Sequence, residues 1–71
     1  MTDAIDIHVG MRLRLKRCTL GLSQRQLSER LNCAEARVAS IENGHLRIGT
    51  AELFEIAKVL RVSVGWFYEV P

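Results

Sequence analysis

The spacing of residues between Gln24 and Ile41 constrains the fold more than any other feature of this sequence. A small residue, Ser28, occupies the fifth position of a helix that would begin at Gln24, and Asn32 stands where that helix would end. A small fifth residue lets a second helix cross close to the first. Asparagine also tolerates the left-handed conformation, which favours a sharp turn at Asn32. The pattern therefore predicts two short helices that cross steeply, with the Ser28 hydroxyl bonded back to the Gln24 carbonyl.

Capping residues predict where the first two helices begin and end. Asp6 is suited to cap the first helix, and Gly21 is suited to end it in the left-handed conformation. Ser23 and Gln26 have the S-x-x-Q spacing of a capping box at the start of a second helix, over 24–31. Both helices are therefore expected to be short and separated by a tight connection.

Three further helices are predicted in the second half of the chain. The third should cover about 34–43 and end at Gly44, and Gly49 and Ser63 are suited to cap a fourth helix and a short fifth one. No alternating pattern typical of strands competes with them. We therefore predict an all-α fold, a compact bundle of five short helices in a single domain over 1–71, with a flexible N-terminal segment over 1–6.

The composition gives no support to several functional classes. Cys18 and Cys33 lack a C-x-x-C motif, and adding His8 and His45 produces no standard zinc spacing, so we expect neither a disulfide scaffold nor a metal site. No apolar run is long enough to span a membrane, and the start of the chain does not resemble a signal peptide. The two histidines offer no nucleophile–base pair. We expect a cytoplasmic protein that has no cofactor and is not an enzyme.

Basic residues are concentrated in the middle of the chain. The net charge is only +2, yet the segment 7–47 contains eight basic and three acidic residues. Such a bias is typical of a protein that binds a polyanion, although an ordinary solvated surface can also produce it. Charge alone therefore does not decide the function.

Three stretches together resemble a known family of DNA-binding proteins. They are "GLSQRQLSERL", "VASIENG" and "LFEIAKVLRVSVGWF", and the similarity extends from Val9 to Phe67. At these separations they resemble the lambda-repressor-like helix-turn-helix domains of phage repressors, Cro proteins and their bacterial relatives. The resemblance implies a sequence-specific regulator of transcription, in most cases a repressor, that binds a double-stranded operator as a homodimer. A bacterial or phage protein of the nucleoid is implied as well.

The resemblance also implies roles for individual residues. Base contacts are expected from the third helix, at Glu35, Ala36, Arg37 and Ser40. DNA backbone contacts are expected from Ser23, Gln24, Asn43 and Arg47, with His45 as an additional candidate. A structural ion pair is expected between Arg17 and Glu42. The dimer interface is expected at Val64, Phe67 and Tyr68, although Phe67 and Trp66 also suit the core.

The outward face of the third helix is unusually small. At 100° per residue, Ala36, Ala39 and Ser40 lie opposite the apolar residues Val38 and Ile41. An exposed helix face normally carries long charged or amide side chains. Small side chains would let this helix enter the major groove deeply, where alanine methyls can touch thymine methyls.

Two residues of this helix have alternative roles. Glu35 could accept a hydrogen bond from a cytosine amino group, or it could stabilise the helix N-terminus as an anion. Arg37 could reach a phosphate or a guanine edge, and phosphate is the commoner partner. The small face itself could instead pack against another protein. That alternative predicts binding with little salt dependence, whereas DNA binding should weaken strongly as salt increases.

Overall fold

The computed structural model describes residues 3–70, which form four α-helices and one short 3-10 helix. The helices are α1 (Ala4–Thr19), α2 (Gln24–Leu31), α3 (Glu35–Glu42) and α4 (Thr50–Leu60), followed by the 3-10 helix Val64–Tyr68. The described part of the chain contains no strand, so the all-α prediction is confirmed. The fifth element differs from the prediction only in being a 3-10 helix rather than an α-helix.

The first helix begins three residues earlier than the sequence predicted. Asp3 is the N-cap, and its carboxylate accepts from the amides of Ile5 and Asp6. The Asp6 carboxylate accepts in return from the Asp3 amide at 3.1 Å, which completes a capping box. Asp6 is therefore the third residue of the helix and not its cap. Part of the segment 1–6 that we expected to be flexible is the cap and first turn of α1, and residues 1–2 lie outside the described part.

The second helix and the turn after it follow the sequence prediction closely. Ser23 and Gln26 form the predicted capping box, and Asn32 takes the left-handed conformation with φ of 60°. Ser28 is buried where α3 packs on α2, as a small residue at this position requires. Its hydroxyl, however, donates to the Arg25 carbonyl at 2.7 Å rather than to Gln24. Within a helix, a serine hydroxyl can reach the carbonyl of either the third or the fourth residue before it.

The third helix is held close to the first. A Cβ atom added at Gly10 would lie 2.2 Å from the Ile41 carbonyl oxygen, so the two helices touch backbone to backbone at this point. Gly44 ends α3 with φ of 76°. The Gly44 amide donates to Ile41 and the His45 amide to Ser40, the hydrogen bonds of a Schellman cap. These contacts set the position of α3 along α1.

The core lies between the four α-helices and the 3-10 helix. Its fully buried side chains include Leu13, Leu27, Ile56, Leu60 and Phe67. Phe67 is a core residue with no exposed surface, so this geometry does not support its predicted contact with a second copy. The ring of Trp66 packs edge-to-face on Phe67, with centroids 5.3 Å apart. No helix in residues 3–70 is long and apolar enough to cross a membrane.

Candidate nucleic-acid interface

One side of α3 is exposed and carries small side chains. Ala36 and Glu35 are exposed in its first turn, Ala39 and Ser40 are half-buried, and Asn43 is exposed just after the last turn. Val38 and Ile41 point the other way, into the core. Because no long side chain projects from the middle of this face, the helix backbone can come close to a surface that it meets.

The N-terminus of α2 also presents hydrogen-bond donors. Ser23 uses its hydroxyl oxygen to accept from the Gln26 amide, which leaves the hydroxyl proton available. The Gln24 side chain donates from Nε2 to Glu42 Oε1 at 3.0 Å and keeps a second N–H. Amides in the first turn of a helix have no carbonyl partner within that helix. This end of α2 therefore suits an anion.

A buried ion pair joins this part of the structure to α1. Arg17 Nε donates to Glu42 Oε2 at 2.6 Å and Nη2 donates to Oε1 at 3.0 Å. The third donor, Nη1, reaches the Leu22 carbonyl at 2.8 Å. The hydrogen bond to Glu42 raises the pKa of Arg17, which stays charged at all working pH values. Glu42 thus receives hydrogen bonds from α1 and from Gln24 on α2, which ties three helices together at one carboxylate.

A second ion pair lies at the surface beside the small face. Arg37 donates to both carboxylate oxygens of Glu52 on α4, at 2.8 and 2.5 Å. The hydrogen bond from Arg37 lowers the pKa of Glu52, and partial burial opposes that shift. The guanidinium keeps three further N–H groups, but its plane is fixed toward α4. The structure therefore places Arg37 at the flank of α3 and away from its central face.

Arg47 has protein partners that the sequence did not indicate. Its guanidinium donates to Asp6 at 3.1 Å and also to Asp3, the two carboxylates of the α1 capping box. These bonds raise the pKa of Arg47, and the amide of Asp6 is the main cause that lowers the pKa of Asp3. The loop after α3 is thereby tied to the start of α1. This geometry supports a structural role for Arg47 in place of the predicted phosphate contact.

The predicted dimer residues all lie in the 3-10 helix Val64–Tyr68. Tyr68 is exposed and Val64 is half-buried, whereas Phe67 is internal. Tyr68 also lines a cavity of about 340 Å³ between α1, the loop before α4 and α4 itself.

His45, the additional candidate for contact with the DNA backbone, is exposed in the loop after α3. Residues 3–70 contain no group of three or more potential metal ligands.

Sequence reasoning missed Asp3, Asp6 and Glu52 as partners of the predicted arginines. The D-x-x-D spacing of Asp3 and Asp6 could have been recognised as a capping box. Nothing in the spacing of Arg37 and Glu52, 15 residues apart, indicates a contact. Such a pair becomes visible only when α3 and α4 are placed.

Comparisons with known sequences identify the same arrangement elsewhere. A family model described as HTH_3, Helix-turn-helix, matches residues 13–67. The chain is 43% identical over 67 residues to an uncharacterized HTH-type transcriptional regulator of Sinorhizobium medicae, an alignment that covers 94% of this chain and 48% of that protein. It is 36% identical over 64 residues to an uncharacterized transcriptional regulator in the ATPase CF(0) region of Rhodospirillum rubrum, covering 90% and 59%. The chain thus spans about half the length of the curated relatives that it matches.

Solved structures share the fold over nearly the whole chain. The biofilm master regulator SinR in complex with DNA is 27% identical with a TM-score of 0.80, covering 86% of this chain and 98% of that one. The restriction-modification controller protein C.AhdI of Aeromonas hydrophila is 25% identical with a TM-score of 0.85, covering 92% and 98%. The regulator ClgR of Corynebacterium glutamicum reaches a TM-score of 0.87 at 20% identity, covering 96% and 72%, and shows similarity of fold alone.

Proposed function

Because the chain belongs to the HTH_3 helix-turn-helix family, we propose that it is a sequence-specific DNA-binding regulator of transcription. The observation that carries this proposal is the small, outward face of α3 beside the donor-rich N-terminus of α2. The names of the curated relatives and the DNA complex of SinR support it. The proposed role is binding and not catalysis, in a bacterial cytoplasm on the nucleoid.

Sequence would be recognised by α3 in the major groove. Ala36 and Ala39 can contact thymine methyls, and the Ser40 hydroxyl can donate to or accept from a base edge. Glu35 stands in the first turn, where it can accept from a cytosine amino group or stabilise the helix N-terminus. The helix must enter the groove deeply to contact base edges, which explains why small side chains are needed on this face.

Affinity would come from the DNA backbone. Ser23 and Gln24 offer side-chain and amide donors at the start of α2, and Asn43 offers an amide group at the far end of α3. Arg37 is assigned to a phosphate at the flank because Glu52 holds it away from the centre of the face. Arg47 is not retained as a DNA contact.

We further propose that two copies bind one operator. In helix-turn-helix dimers, two recognition helices enter successive major grooves about one helical turn apart. Tyr68, which is exposed, and Val64, which is half-buried, are the residues proposed to contact the second copy. A dimer seated over a promoter would exclude other proteins from it, so repression is the expected effect.

Selection from a random duplex library with the 71-residue chain tests this function. The selected duplex is then titrated at about 50 and 200 mM salt, a range over which phosphate contacts lose orders of magnitude in affinity. A palindromic consensus with a steep salt dependence is the expected result. Uniform enrichment, or an affinity that is insensitive to salt, would instead support a protein partner for the α3 face.

A further inference from the structure

An apolar stripe runs along the solvent side of α1. Ile7, Met11 and Leu15 are 49%, 62% and 54% exposed, and Cys18 is exposed one turn further along. Successive members are four, four and three residues apart, so that they share one side of the helix. The core residues of α1 lie on the opposite side. With Arg14, three of these residues line a shallow groove of about 380 Å³.

Basic residues outnumber acidic ones beside the stripe, although the exposed Glu69 lies 3.6 Å from Arg12 at one edge. The segment 7–28 contains no acidic residue, and it carries Arg12, Arg14 and Lys16 along α1. Arg14 lies in the groove itself and forms no ion pair within residues 3–70. Arg12 and Lys16 stack over the ring of Trp66, at 3.8 and 5.8 Å from its centroid, which keeps them along one edge of the helix. The 16-residue helix thus presents an apolar centre flanked by Arg14 and Lys16, whose charges are not neutralised by a carboxylate within residues 3–70.

The exposed apolar side chains and the basic residues beside them together indicate what kind of partner could bind here. A second copy would bring two cationic borders together, which is unfavourable for like charges. Duplex DNA would match the charge, but its separate thymine methyl groups could not cover a continuous apolar stripe that includes Met11 and Leu15. An amphipathic helix with an apolar stripe and acidic flanks would satisfy both features at once, by packing along α1 as helices pack in a groove.

We propose that the outer face of α1 is a docking surface for an acidic amphipathic helix of another protein. This surface is distinct from α3 and from the N-terminus of α2, so it allows a regulator to contact a partner while it is bound to DNA. Binding does not depend on the proposed operator, and the two functions can therefore succeed or fail separately.

A designed peptide tests the proposal. The probe is a fluorescent helix of about three heptads with leucine at the a and d positions and glutamate elsewhere, and its control carries lysine in place of glutamate. Fluorescence anisotropy with the full 71-residue chain should show at least about tenfold tighter binding of the acidic peptide, weakening as salt rises. Equal binding of the two peptides, or no binding of either, would overturn the proposal.

Matched variants locate the site. Met11→Ser combined with Leu15→Ser should abolish binding of the acidic peptide, whereas Phe54→Ser removes a similarly exposed apolar side chain from α4 and should leave binding unchanged. Arg14→Glu should weaken binding, whereas Arg30→Glu, an equally unpaired arginine within residues 3–70, should not. All five positions are exposed, and circular dichroism checks that each variant is folded.

The same variants distinguish the proposed helix from two other occupants of this face, a second copy of the chain and a membrane surface. Sedimentation that shows self-association of the chain, lost in the Met11→Ser and Leu15→Ser variant, would identify a second copy as the occupant and contradict the proposal. Binding to anionic phosphatidylserine vesicles that depends on Met11 and Leu15 would do the same for a membrane surface. We expect that any self-association of the chain is the same in the parent and in the Met11→Ser and Leu15→Ser variant, and that neither protein binds the vesicles.

Discussion

Two arginine–carboxylate pairs hold α3, and they differ in how far they are buried. The side chains of Arg17 and Glu42 are 11% and 1% exposed, whereas those of Arg37 and Glu52 are 41% and 32% exposed. Both pairs are bidentate and short, so geometry does not distinguish them. Burial distinguishes them, because an unpaired charge in the core destabilises the fold far more than an unpaired charge in water. The inner pair, Arg17–Glu42, therefore holds α3 in position more strongly than the outer pair, Arg37–Glu52.

Removal of Glu42 should have the largest effect. Glu42→Ala leaves Arg17 charged and nearly enclosed, which should destabilise the fold by about 3–5 kcal/mol. Urea unfolding followed by circular dichroism measures the change. Glu52→Ala is the matched control and should cost about 1 kcal/mol or less, because solvent screens the exposed pair. Equal costs for the two variants would remove the distinction between the pairs.

The close contact of α1 with α3 should give the next largest effect. Gly10→Ala gains up to about 1 kcal/mol of helix propensity. Its new Cβ atom, however, would lie 2.2 Å from the Ile41 oxygen, and backbone must move to relieve that contact. We expect a net loss of about 2 kcal/mol in the free energy of unfolding.

Gly65→Ala is the control for this substitution. A Cβ atom at Gly65 would meet only Ser63 Oγ, at 3.9 Å, and should be tolerated without loss. Thermal unfolding of both variants makes the comparison. A Gly10→Ala variant as stable as the parent would show that α1 and α3 are not in backbone contact.

Gln24 links the buried pair to the proposed interface, and its removal should have a moderate effect. Gln24→Ala deletes one hydrogen bond to Glu42, worth about 1 kcal/mol, and one contact to the DNA backbone. Affinity for the selected duplex and for unrelated duplex should fall by a similar factor, about threefold to tenfold. A loss confined to one base position would contradict the backbone assignment.

The smallest effect is the pH dependence that arises from the outer pair. Arg37 holds the pKa of Glu52 below its ordinary value of 4.5, so the folded state favours the ionised carboxylate. This stabilisation is present above that value and is lost as the pH falls through the lower folded pKa. Glu52→Gln should therefore be less stable than the parent at pH 7 by up to about 1 kcal/mol, and the difference should narrow toward pH 3. A difference that does not change with pH would show that Glu52 stabilises by packing alone.

Local signals in the sequence predicted local structure well. The Ser23–Gln26 box, the left-handed Asn32 and the glycine that ends α3 all depend on residues within five positions of one another. The error at the start of α1 was also local, since either Asp3 or Asp6 could have been the cap. What decides between them is the reciprocal bond from the Asp3 amide to Asp6.

Long-range contacts were predicted only where the resemblance supplied them. Arg17 and Glu42 were expected to pair and the structure brings them together, but the carboxylate partners of Arg37 and Arg47 were not predicted. An arginine can reach any acid within its range, and that choice depends on how helices are placed. For the same reason, the sequence could not show that Phe67 is enclosed while its neighbour Tyr68 is exposed.

Ser40→Trp is the most informative test of whether the outer face of α3 contacts base edges in the major groove. Ser40 is half-buried at the centre of this face, and an indole there would hold the helix out of the groove. The affinity of the variant for the selected duplex should fall by about 100-fold or more, with thermal stability nearly unchanged. Ala4→Trp, on the exposed first turn of α1, is the control and should bind as the parent does. Unchanged affinity of the folded Ser40→Trp variant would show that α3 does not enter the groove.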